Sequence, residues 1–567
     1  VNPPRIWAML LSCGMNTLLS EPQERGMTTP DPSDQTEIPL GAWSVDSTSD
    51  LLVRLARKTT VTGLMHRILK EARMLTGAEG GTFYQLDEST DSPQLIFKAI
   101  HNTVLGLESR DPEQLSQWLA IPLYYRQPDD SGAGEPNHQN VASWVALTQQ
   151  PVNIDDVYQA GDFDFSGTRH FDAEHRYRSR SMLTLPLLNH EDRVIGVLQL
   201  INARTPDGDS RPFTDDDQRT VQAMAKFAAL SLDNQLLVQS HKDLLDAFIQ
   251  ALARIIDVRS SHTSAHCERI PVLTEMMARA ACEETDGYFA DFNLNDDEWY
   301  ELHVAAWLHD CGKLATPETI LNKGRKLQSL LDGFDAVAGR FAAAMAQADS
   351  PNEADELREE LDFLERINLG GEFMPESDKD RVRAIAARSW RDAWGQQQPL
   401  LNEAEVTNLC ITRGTLNDEE RQAINRHIDI TIDILEQLPF PPKLRRVPEY
   451  AGGHHERMDG RGFPRGLTRD QMSIPARIMG VADVFEALTA KERPYKPPMP
   501  LSQAFSILKS MRDDQHIDPD VFELFLRSGK WRDYAERFLL PDQIDVGDVA
   551  PYLADSNINT TRPVSKP

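Results

Sequence analysis

Six histidines and two aspartates recur in the second half of the chain, several of them inside apolar helical runs. They are His262, His266, His309, His427, His454, His455, Asp310 and Asp483. His262 and His266 are four residues apart and would project from one face of a helix. Asp310 ends the run AAWLHD, and Asp483 lies within ARIMGVADVFEALTA. Because a buried carboxylate must be paired or bound to a cation, a fold that buries these helices has to bring positive charge to them.

Each of these residues has an ordinary structural interpretation when it is taken alone. Asp310 would form a salt bridge with Lys313, and His427 would be a satisfied interior residue of the helix ERQAINRHIDITIDILEQL. Together, five or more histidines and two aspartates exceed the ligand set of one tetrahedral structural zinc and fit two divalent first-row metal ions that share a carboxylate. The cysteines include no CxxC pair, which argues against a thiolate zinc site or an iron–sulfur cluster. They are Cys13, Cys267, Cys282, Cys311 and Cys410.

Length and charge limit what the rest of the chain does. With 567 residues the chain is too long for one hydrophobic core, so we expect two or three domains. The net charge of −29 argues against a nucleic-acid polymer as partner. Scattered cysteines without a disulfide pattern are typical of proteins in a reducing cytosol. The apolar run IWAMLLSCGMNTLL is shorter than the ~20 residues that a membrane-spanning helix needs. We therefore expect a cytoplasmic protein with no membrane segment.

The first half is predicted to hold an α+β domain after a disordered leader. Residues 28–45 are rich in Pro, Asp, Ser and Thr, so we expect a disordered leader over residues 1–50, of which the part before Met27 is an upstream-start artefact or a disordered extension. Over 51–235, a helical pattern precedes strand-like runs, then SMLTLPLLN and RVIGVLQLIN, then the helix FTDDDQRTVQAMAKFAALSLDNQ. The polar turn between the two β-rich runs predicts a hairpin, and Thr214 is the expected N-cap of the last helix.

This order of elements resembles a GAF domain. The segment LPLLNHEDRVIGVLQLINAR followed by PFTDDDQ carries the resemblance: Asn202, Phe213 and Asp217 fit the family pattern, whereas Ala203 stands where lysine is common. The resemblance implies a sensor domain that binds a cyclic nucleotide, a tetrapyrrole or another small molecule, or that serves only as a dimer contact. The GAF ligand is unknown, and no residue is assigned to it.

A connecting helix is predicted over residues 236–260. An apolar stripe runs into it and through it, formed by Leu230, Leu232, Leu236, Leu237, Leu244, Leu245, Phe248, Ile249, Leu252, Ile255 and Ile256. Two interpretations stay open. The helix is a signalling helix paired with a second copy in a homodimer, or it is an amphipathic helix buried in the second domain.

The second half resembles the HD-GYP subgroup of HD-domain phosphohydrolases. The resemblance is carried by His266, His309-Asp310-x-Gly-Lys313, His427, His454-His455-Glu-Arg-x-Asp-Gly-x-Gly-Phe-Pro, Asp483 and Arg493-Pro-Tyr-Lys496. It implies an all-α domain over residues 261–540 that uses two divalent transition-metal ions, iron or manganese, to hydrolyse cyclic di-GMP to pGpG or GMP.

The same resemblance implies a role for each residue. One metal ion would be held by His266, His309, Asp310 and Asp483, and Asp310 would bridge to a second ion held by His427, His454 and His455. Catalysis would rest on Asp310 and on Lys313 at the scissile phosphate. Arg493 and Lys496 would bind the substrate's phosphates or guanine edges. Two cations and Lys313 would also reverse the negative field of an acidic chain where an anionic substrate binds.

The sequence departs from the family pattern at three places. Gly462-Phe463-Pro464 replaces Gly-Tyr-Pro in a turn that the family uses to contact diguanylate cyclase domains, which weakens that partner assignment. His262 stands where some members have a glutamate for a third metal, so it is an extra candidate ligand. Residues 327–412 look like a helical insertion that covers the active site, docks a partner or is a solvated decoration. Residues 541–567 are expected to be disordered.

Two functions follow from these expectations. We favour an active cyclic di-GMP phosphodiesterase regulated by the GAF domain. The alternative is a catalytically weak receptor or interaction scaffold that keeps the metal centre and signals by binding a cyclic dinucleotide or a protein. A different cyclic dinucleotide also stays open as substrate, because no base-reading residue is evident.

Overall fold

A computed structural model describes residues 60–89, 92–109, 111–115, 118–125, 134–259, 266–370, 373–491 and 498–553. The predicted leader with Met27, and the candidate residues His262, Arg493 and Lys496, lie outside the described residues. The chain divides into two compact units, Val1–Asp243 and Leu244–Pro567. Among the helices of the described ranges, none combines the length and the apolar character that crossing a lipid bilayer requires.

The first unit alternates strands with short helices and ends in a long helix. Its helices are α1 (Val61–Thr76), α2 (Pro112–Leu115), α3 (Val141–Thr148), α4 (Ser166–His175) and the start of α5 (Asp215–Arg259). Its strands are β1 (Gly80–Asp87), β2 (Gln94–Asn102), β3 (Leu107–Ser109), β4 (Ile121–Pro122), β5 (Tyr124–Tyr125), β6 (Glu135–Pro136), β7 (Val152–Ile154), β8 (Met182–Leu188), β9 (Val194–Ile201), β10 (Ala203–Arg204) and β11 (Ser210–Arg211).

The main sheet of this unit is antiparallel and carries apolar side chains on both faces. Its order is β3-β2-β1-β9-β8-β7, and β4 also pairs with β2. One core joins sheet residues to Leu64 and Ile68 of α1 and to Met224 of α5. A second core joins sheet residues to Val141 and Val145 of α3. Burial on both faces explains the three-layer arrangement, and the predicted α+β fold is confirmed.

The residues that suggested the fold of the first unit have structural roles in it. β8 and β9 form the predicted hairpin. Asn202 follows β9 with a left-handed φ of 58°, which asparagine tolerates. Its side chain accepts a hydrogen bond from the Arg180 amide (2.7 Å) and donates one to Glu79 (2.9 Å). Thr214 Oγ1 accepts a hydrogen bond from the Asp217 amide (3.1 Å), which confirms the predicted N-cap.

The predicted closing helix and connecting helix are one continuous helix, α5. Ala228 and Leu232 belong to a core of the first unit. Ile249 and Ile256 belong to the core of the second unit. For Ile249 and Ile256 the interpretation as an amphipathic helix buried in the second domain is correct, because burial of one face stabilises a helix against its own domain.

The second unit is mainly helical. Beyond the end of α5, its helices are α6 (His266–Glu283), α7 (Asp296–Leu308), α8 (Glu318–Leu321), α9 (Phe334–Ala346), α10 (Pro351–Asn368), α11 (Glu376–Ala386), α12 (Glu403–Leu409), α13 (Asp418–Gln437), α14 (Val447–Gly452), α15 (Ile474–Thr489), α16 (Leu501–Asp513), α17 (Pro519–Arg527) and α18 (Lys530–Phe538). Short 3-10 helices lie at Cys311–Ala315, Pro442–Leu444, Arg469–Gln471, Pro541–Gln543 and Ala550–Tyr552. A core with Leu273, Leu302, Phe485 and Phe522 joins α6, α7, α15 and α17.

The segment predicted as an insertion packs around a small core of its own. Val337 and Phe341 of α9, Leu364 of α10 and Leu409 of α12 belong to this core. The charged pattern EADELREELDFLERI forms α10, as its helical periodicity predicts. The segment also contains a two-stranded hairpin, β12 (Ser389–Arg391) with β13 (Gln397–Pro399), which the helical pattern did not predict.

The predicted boundary of the disordered tail at residue 541 is too early. The described residues continue to Leu553 and form two 3-10 helices. Gln543 is buried, and its side chain donates hydrogen bonds to the carbonyl groups of Thr489 (2.9 Å) and Met499 (3.0 Å). Polar composition alone suggested disorder, but these hydrogen bonds to Thr489 at the end of α15 and to Met499 hold the segment in place.

A buried carboxylate ties α15 to α17. Asp518 caps α17 by accepting hydrogen bonds from the amides of Asp520 (2.9 Å) and Val521 (3.2 Å). It also pairs with Arg477 of α15 and with Arg469, whose Nε lies 2.9 Å from Oδ2. Burial by itself raises the pKa of Asp518, but the two guanidinium groups lower it below its ordinary value. The ionised carboxylate therefore stabilises the helix that carries Asp483.

We expect D518A to lower the free energy of unfolding by about 3–5 kcal/mol at neutral pH, because it leaves the buried Arg477 guanidinium without its carboxylate and removes a cap. Urea denaturation measures this. The control D533A removes an exposed carboxylate that lies 3.9 Å from Lys530. It should lower the free energy of unfolding by less than about 1 kcal/mol.

The same comparison has an expected pH dependence. Because the folded-state pKa of Asp518 is lowered, its stabilisation is present above the unfolded-state pKa of about 3.9 and is lost as the pH falls through the folded pKa. The difference between wild type and D518A should therefore shrink on acidification. Equal stability of D518A and D533A at neutral pH would contradict this role.

Candidate metal centre

The second unit brings seven of the predicted ligands to one place. His266 opens α6, His309 and Asp310 follow α7, His427 lies in α13, His454 and His455 follow α14, and Asp483 lies in α15. Two groups have ligand atoms within 4.8 Å of one another, one formed by His266, His309 and Asp310, the other by His427, His454 and His455. Residues more than 200 positions apart in the chain therefore converge.

The imidazole rings of three histidines have a fixed orientation. Nδ1 of His309, His427 and His454 faces the carbonyl oxygen three residues earlier, at 2.8 Å for His309 and 2.6 Å for His454. A carbonyl oxygen only accepts, so each Nδ1 carries the proton and each Nε2 presents a lone pair. Among the described residues, these three buried Nε2 atoms have no hydrogen-bond partner. Such orientation by a backbone carbonyl is typical of histidines that bind a metal ion.

Asp310 lies between the two groups of ligands. Its Oδ2 is 3.3 Å from His309 Nε2 and 3.5 Å from His266 Nε2, and its Oδ1 is 3.1 Å from His427 Nε2. Oδ1 and the Nε2 atoms are without hydrogen-bond partners in the described part of the chain. Lone pairs of nitrogen and oxygen that face each other repel unless a cation lies between them. This donor set therefore fits a metal ion on each side of Asp310.

Asp483 completes the first group. Its Oδ1 lies 3.4 Å from His266 Nε2 and 4.0 Å from His309 Nε2. In the second group, the rings of His454 and His455 have centroids 4.3 Å apart, and those of His427 and His455 are 5.3 Å apart. The residues that the sequence predicted for each of the two ions thus lie together, and their role as ligands stays a prediction.

Two residues that support His266 were not predicted from the sequence. Glu486 pairs with His266 Nδ1, and its other oxygen accepts a hydrogen bond from Arg269 Nε (2.7 Å). The carboxylate thus directs His266 Nε2 towards Asp310 and Asp483. A signal was present, because Glu486 follows Asp483 by three residues and lies on the same face of an apolar helix.

The electrostatics of the site favour cations and keep the imidazoles of His454 and His455 neutral. Burial raises the pKa of Asp310, but the charge of Lys313 and the adjoining imidazoles of His309 and His266 lower it well below its usual value. Burial lowers the pKa of His455 to about 4 and that of His454 well below its usual value. Burial also lowers the pKa of His266, but Asp310 and Glu486 raise it to about 10, so the acidic groups attract positive charge to this position.

Lys313 is the nearest cationic side chain to Asp310 that the structure describes. Its Nζ lies 2.5 Å from Asp310 Oδ2, and its side chain is mostly buried. Burial lowers the pKa of Lys313, but Asp310 and Asp483 raise it above its ordinary value. The ammonium group is therefore charged at neutral pH and stands at the edge of the ligand set.

Two glycines allow the close packing of the site. A Cβ at Gly312 would lie 1.9 Å from the carbonyl oxygen of His427, so only glycine lets the turn after Asp310 approach α13. A Cβ at Gly462 would lie 2.3 Å from the Arg457 amide nitrogen. The aromatic ring of Phe463, next to Gly462, stacks on His455 with centroids 4.9 Å apart. The turn predicted to shape the edge of the site thus contacts a candidate ligand directly.

Comparison with known proteins identifies both halves of the chain. Residues 61–232 match the GAF domain family, and residues 403–521 match the HD domain family. The chain combines a GAF domain with an HD domain. The match to the HD domain begins after His266, His309 and Asp310 and takes in the last residues of the predicted insertion 327–412.

The chain is similar to named phosphodiesterases of Vibrio cholerae and Thermotoga maritima. The chain is 26% identical over 291 residues to 3′3′-cGAMP-specific phosphodiesterase 3 of Vibrio cholerae, covering 50% of this chain and 40% of the relative. It is 38% identical over 117 residues to 3′3′-cGAMP-specific phosphodiesterase 1 of the same organism, covering 21% of this chain and 26% of the relative. It is 39% identical over 122 residues to a cyclic di-GMP phosphodiesterase of Thermotoga maritima, covering 22% of this chain and 32% of the relative. The chain thus spans less than half the length of each of these relatives.

We expect E486Q to weaken metal binding by about 10–100-fold, because the uncharged amide no longer holds His266 as a carboxylate does. Titration of metal-depleted protein with Mn²⁺ measures this affinity. The matched control is E436Q, which removes an exposed carboxylate that pairs with Arg465 at 3.2 Å and should leave the affinity unchanged. Unchanged affinity in E486Q would contradict the role of Glu486.

Proposed function

We propose that the HD domain is a phosphodiesterase that uses two divalent metal ions to hydrolyse a cyclic dinucleotide. The observation that carries this proposal is the set of buried Nε2 atoms that face the two oxygens of Asp310 without hydrogen bonds among the described residues. The relatives support the substrate class, since their names specify cyclic di-GMP or 3′3′-cGAMP phosphodiesterases.

The residues of the chain would share the work as follows. His266, His309, Asp310 and Asp483 would hold one ion, and His427, His454 and His455 would hold the second, with Asp310 shared. Bound ions, which we propose to be iron or manganese, would activate water and neutralise charge on the phosphodiester. Neutral imidazoles and an ionised Asp310 are the ligand forms that metals require, and the pKa directions of His454, His455 and Asp310 favour those forms.

Lys313 would bind the phosphate of the substrate. Its charged ammonium group beside Asp310 would attract a phosphate oxygen into a site that an acidic chain otherwise disfavours. In the transition state it would stabilise the charge that accumulates on the phosphoryl group. Arg493 and Lys496, which lie outside the described residues, stay predictions as further substrate contacts.

We propose cyclic di-GMP as the substrate and pGpG or GMP as the product. The second candidate substrate is 3′3′-cGAMP, favoured by two of the three relatives. Several further points stay predictions. They are regulation by the GAF domain and the identity of its ligand, a diguanylate cyclase partner, the homodimer, the cytoplasmic location, a third metal at His262 and a covering role for residues 327–412.

The function is tested with full-length protein prepared anaerobically with iron or manganese. We expect about two metal ions per chain and release of pGpG or GMP from cyclic di-GMP, with 3′3′-cGAMP assayed in parallel. D310A should lose metal and activity together, whereas D433A, an exposed aspartate on α13, should keep both. Binding of either dinucleotide without any hydrolysis by the metal-loaded protein would instead support the receptor interpretation.

A substitution of Lys313 separates charge stabilisation from metal binding. We expect K313A to keep its metal content but to lose about 10²–10³-fold in kcat, the usual cost of removing one charge-stabilising group from a transition state. Turnover and elemental analysis of the same samples check this. K443A, which removes a partly exposed lysine 3.9 Å from Asp297, is the matched control and should be as active as wild type. A fully active K313A would exclude the proposed role.

A further inference from the structure

His455 differs from the other candidate histidines of the metal centre in how its ring is held. The other four are oriented through Nδ1, three by a backbone carbonyl group and one by a carboxylate, and they are His309, His427, His454 and His266. The ring of His455 forms no hydrogen bond with any residue that the structure describes. A histidine that binds a metal ion ordinarily needs a contact that fixes its ring. Another kind of contact therefore has to orient His455.

Aromatic rings surround His455 in place of a hydrogen-bond partner. The ring of Phe463 stacks on it, with centroids 4.9 Å apart and 21° between the planes. His427 meets it edge-on, with centroids 5.3 Å apart, and His454 is tilted against it at 4.3 Å. Phe463 is not a candidate ligand, so its contribution here is the packing itself. A parallel ring at this distance opposes rotation of the imidazole, because turning would drive the imidazole edge into the face of Phe463.

The segment that carries Phe463 is closed by hydrogen bonds, and we call residues 456–467 the clasp. Glu456 is buried, and its carboxylate accepts hydrogen bonds from the amides of Arg465 (2.7 Å) and Leu467 (2.9 Å). The Phe463 amide donates a hydrogen bond to the carbonyl oxygen of His455 (3.3 Å). Because a buried carboxylate that loses its donors is costly, the two ends of the clasp stay together.

Tight backbone packing inside the clasp fixes where Phe463 lies. A Cβ on Gly462 would lie 2.5 Å from the Cα of Glu456, so the chain folds back onto the residue that closes the clasp. Phe463 follows Gly462 directly and is half-buried. The backbone therefore places the aromatic ring against His455, and the ring does not depend on a flexible surface loop for its position.

The contact explains how the chain tolerates its departure from the family pattern at this turn. Phenylalanine stands where tyrosine is usual, and it lacks the hydroxyl group at the far end of the ring. Stacking on His455 uses the face of the ring, which both residues provide equally. An aliphatic side chain of similar volume would fill the space but would offer no flat face.

We propose that Phe463 is a positioning residue that fixes the ring of His455 for the second metal ion. Stacking by Phe463 does for His455 what a hydrogen bond does for the other candidate histidines, and the clasp closed by Glu456 holds Phe463 in place. The proposal rests on the two-metal function proposed for the HD domain, and it adds a residue that binds neither metal nor substrate.

Titration of metal-depleted full-length protein with Mn²⁺ tests the role of Phe463. We expect wild type to bind two ions, which electron paramagnetic resonance detects as a magnetically coupled pair. F463L should bind the first ion like wild type and the second about tenfold more weakly, so that the signal of an isolated ion persists to higher Mn²⁺ concentration. F463Y keeps the flat ring and should bind like wild type.

The matched control is F373L, which replaces a phenylalanine that is 72% exposed and should leave both affinities unchanged. Circular dichroism checks that each variant is folded. E456Q tests the clasp while Phe463 stays in place. Its amide group would turn a donor towards the amide of Arg465 or Leu467, so the second ion should again bind about tenfold more weakly.

The outcomes separate this proposal from the function on which it rests. F463L that binds both ions like wild type would overturn the role of Phe463 and leave the phosphodiesterase function intact. F463L with normal metal affinity and a raised KM would identify a substrate contact instead, which also overturns it. F463Y as weak as F463L would exclude stacking as the cause, and E456Q with wild-type affinity would exclude the clasp. Wild type that binds no pair of ions would overturn the two-metal function itself.

Discussion

The desolvated carboxylate of Asp310 is the group on which the second unit depends. It is almost fully buried and lies within 3.5 Å of three imidazole nitrogens, at the point where α7 ends and α13 passes. A carboxylate in such a place requires positive charge. Lys313 supplies part of it, and the orientation of the imidazoles indicates that cations supply the rest. The surrounding helices are arranged so that this requirement is met from two sides.

The supporting contacts explain why the arrangement is specific. Backbone carbonyl groups fix the tautomers of His309, His427 and His454, and Glu486 fixes His266. Gly312 lets the turn after Asp310 lie against α13. None of these contacts adds a candidate ligand. Each restricts the rotation of a candidate ligand or the position of its backbone, and pre-organised ligands bind a metal ion with less entropic cost.

Helix α5 shows how one element serves two purposes. Its buried residues belong to the cores of the two units, whereas Leu244, Phe248 and Val258 are exposed. In the sequence the two sets form one long apolar stripe. Burial separates them, because each residue of the stripe belongs to one face only.

The sequence by itself determined the class of each half and named the candidate ligands that the second unit brings together. A buried helix cannot hold an aspartate such as Asp483 without a compensating positive charge, so residue types and their order identified these candidates. The hairpin β8–β9 and the N-cap Thr214 were also readable, since both depend on neighbours in the chain. Tertiary structure alone decided the role of Glu486, the order of the segment around Gln543 and the face of α5 that is left exposed. Those features depend on contacts between residues far apart in the chain, and local patterns of polarity carry no information about which distant partner satisfies a polar group.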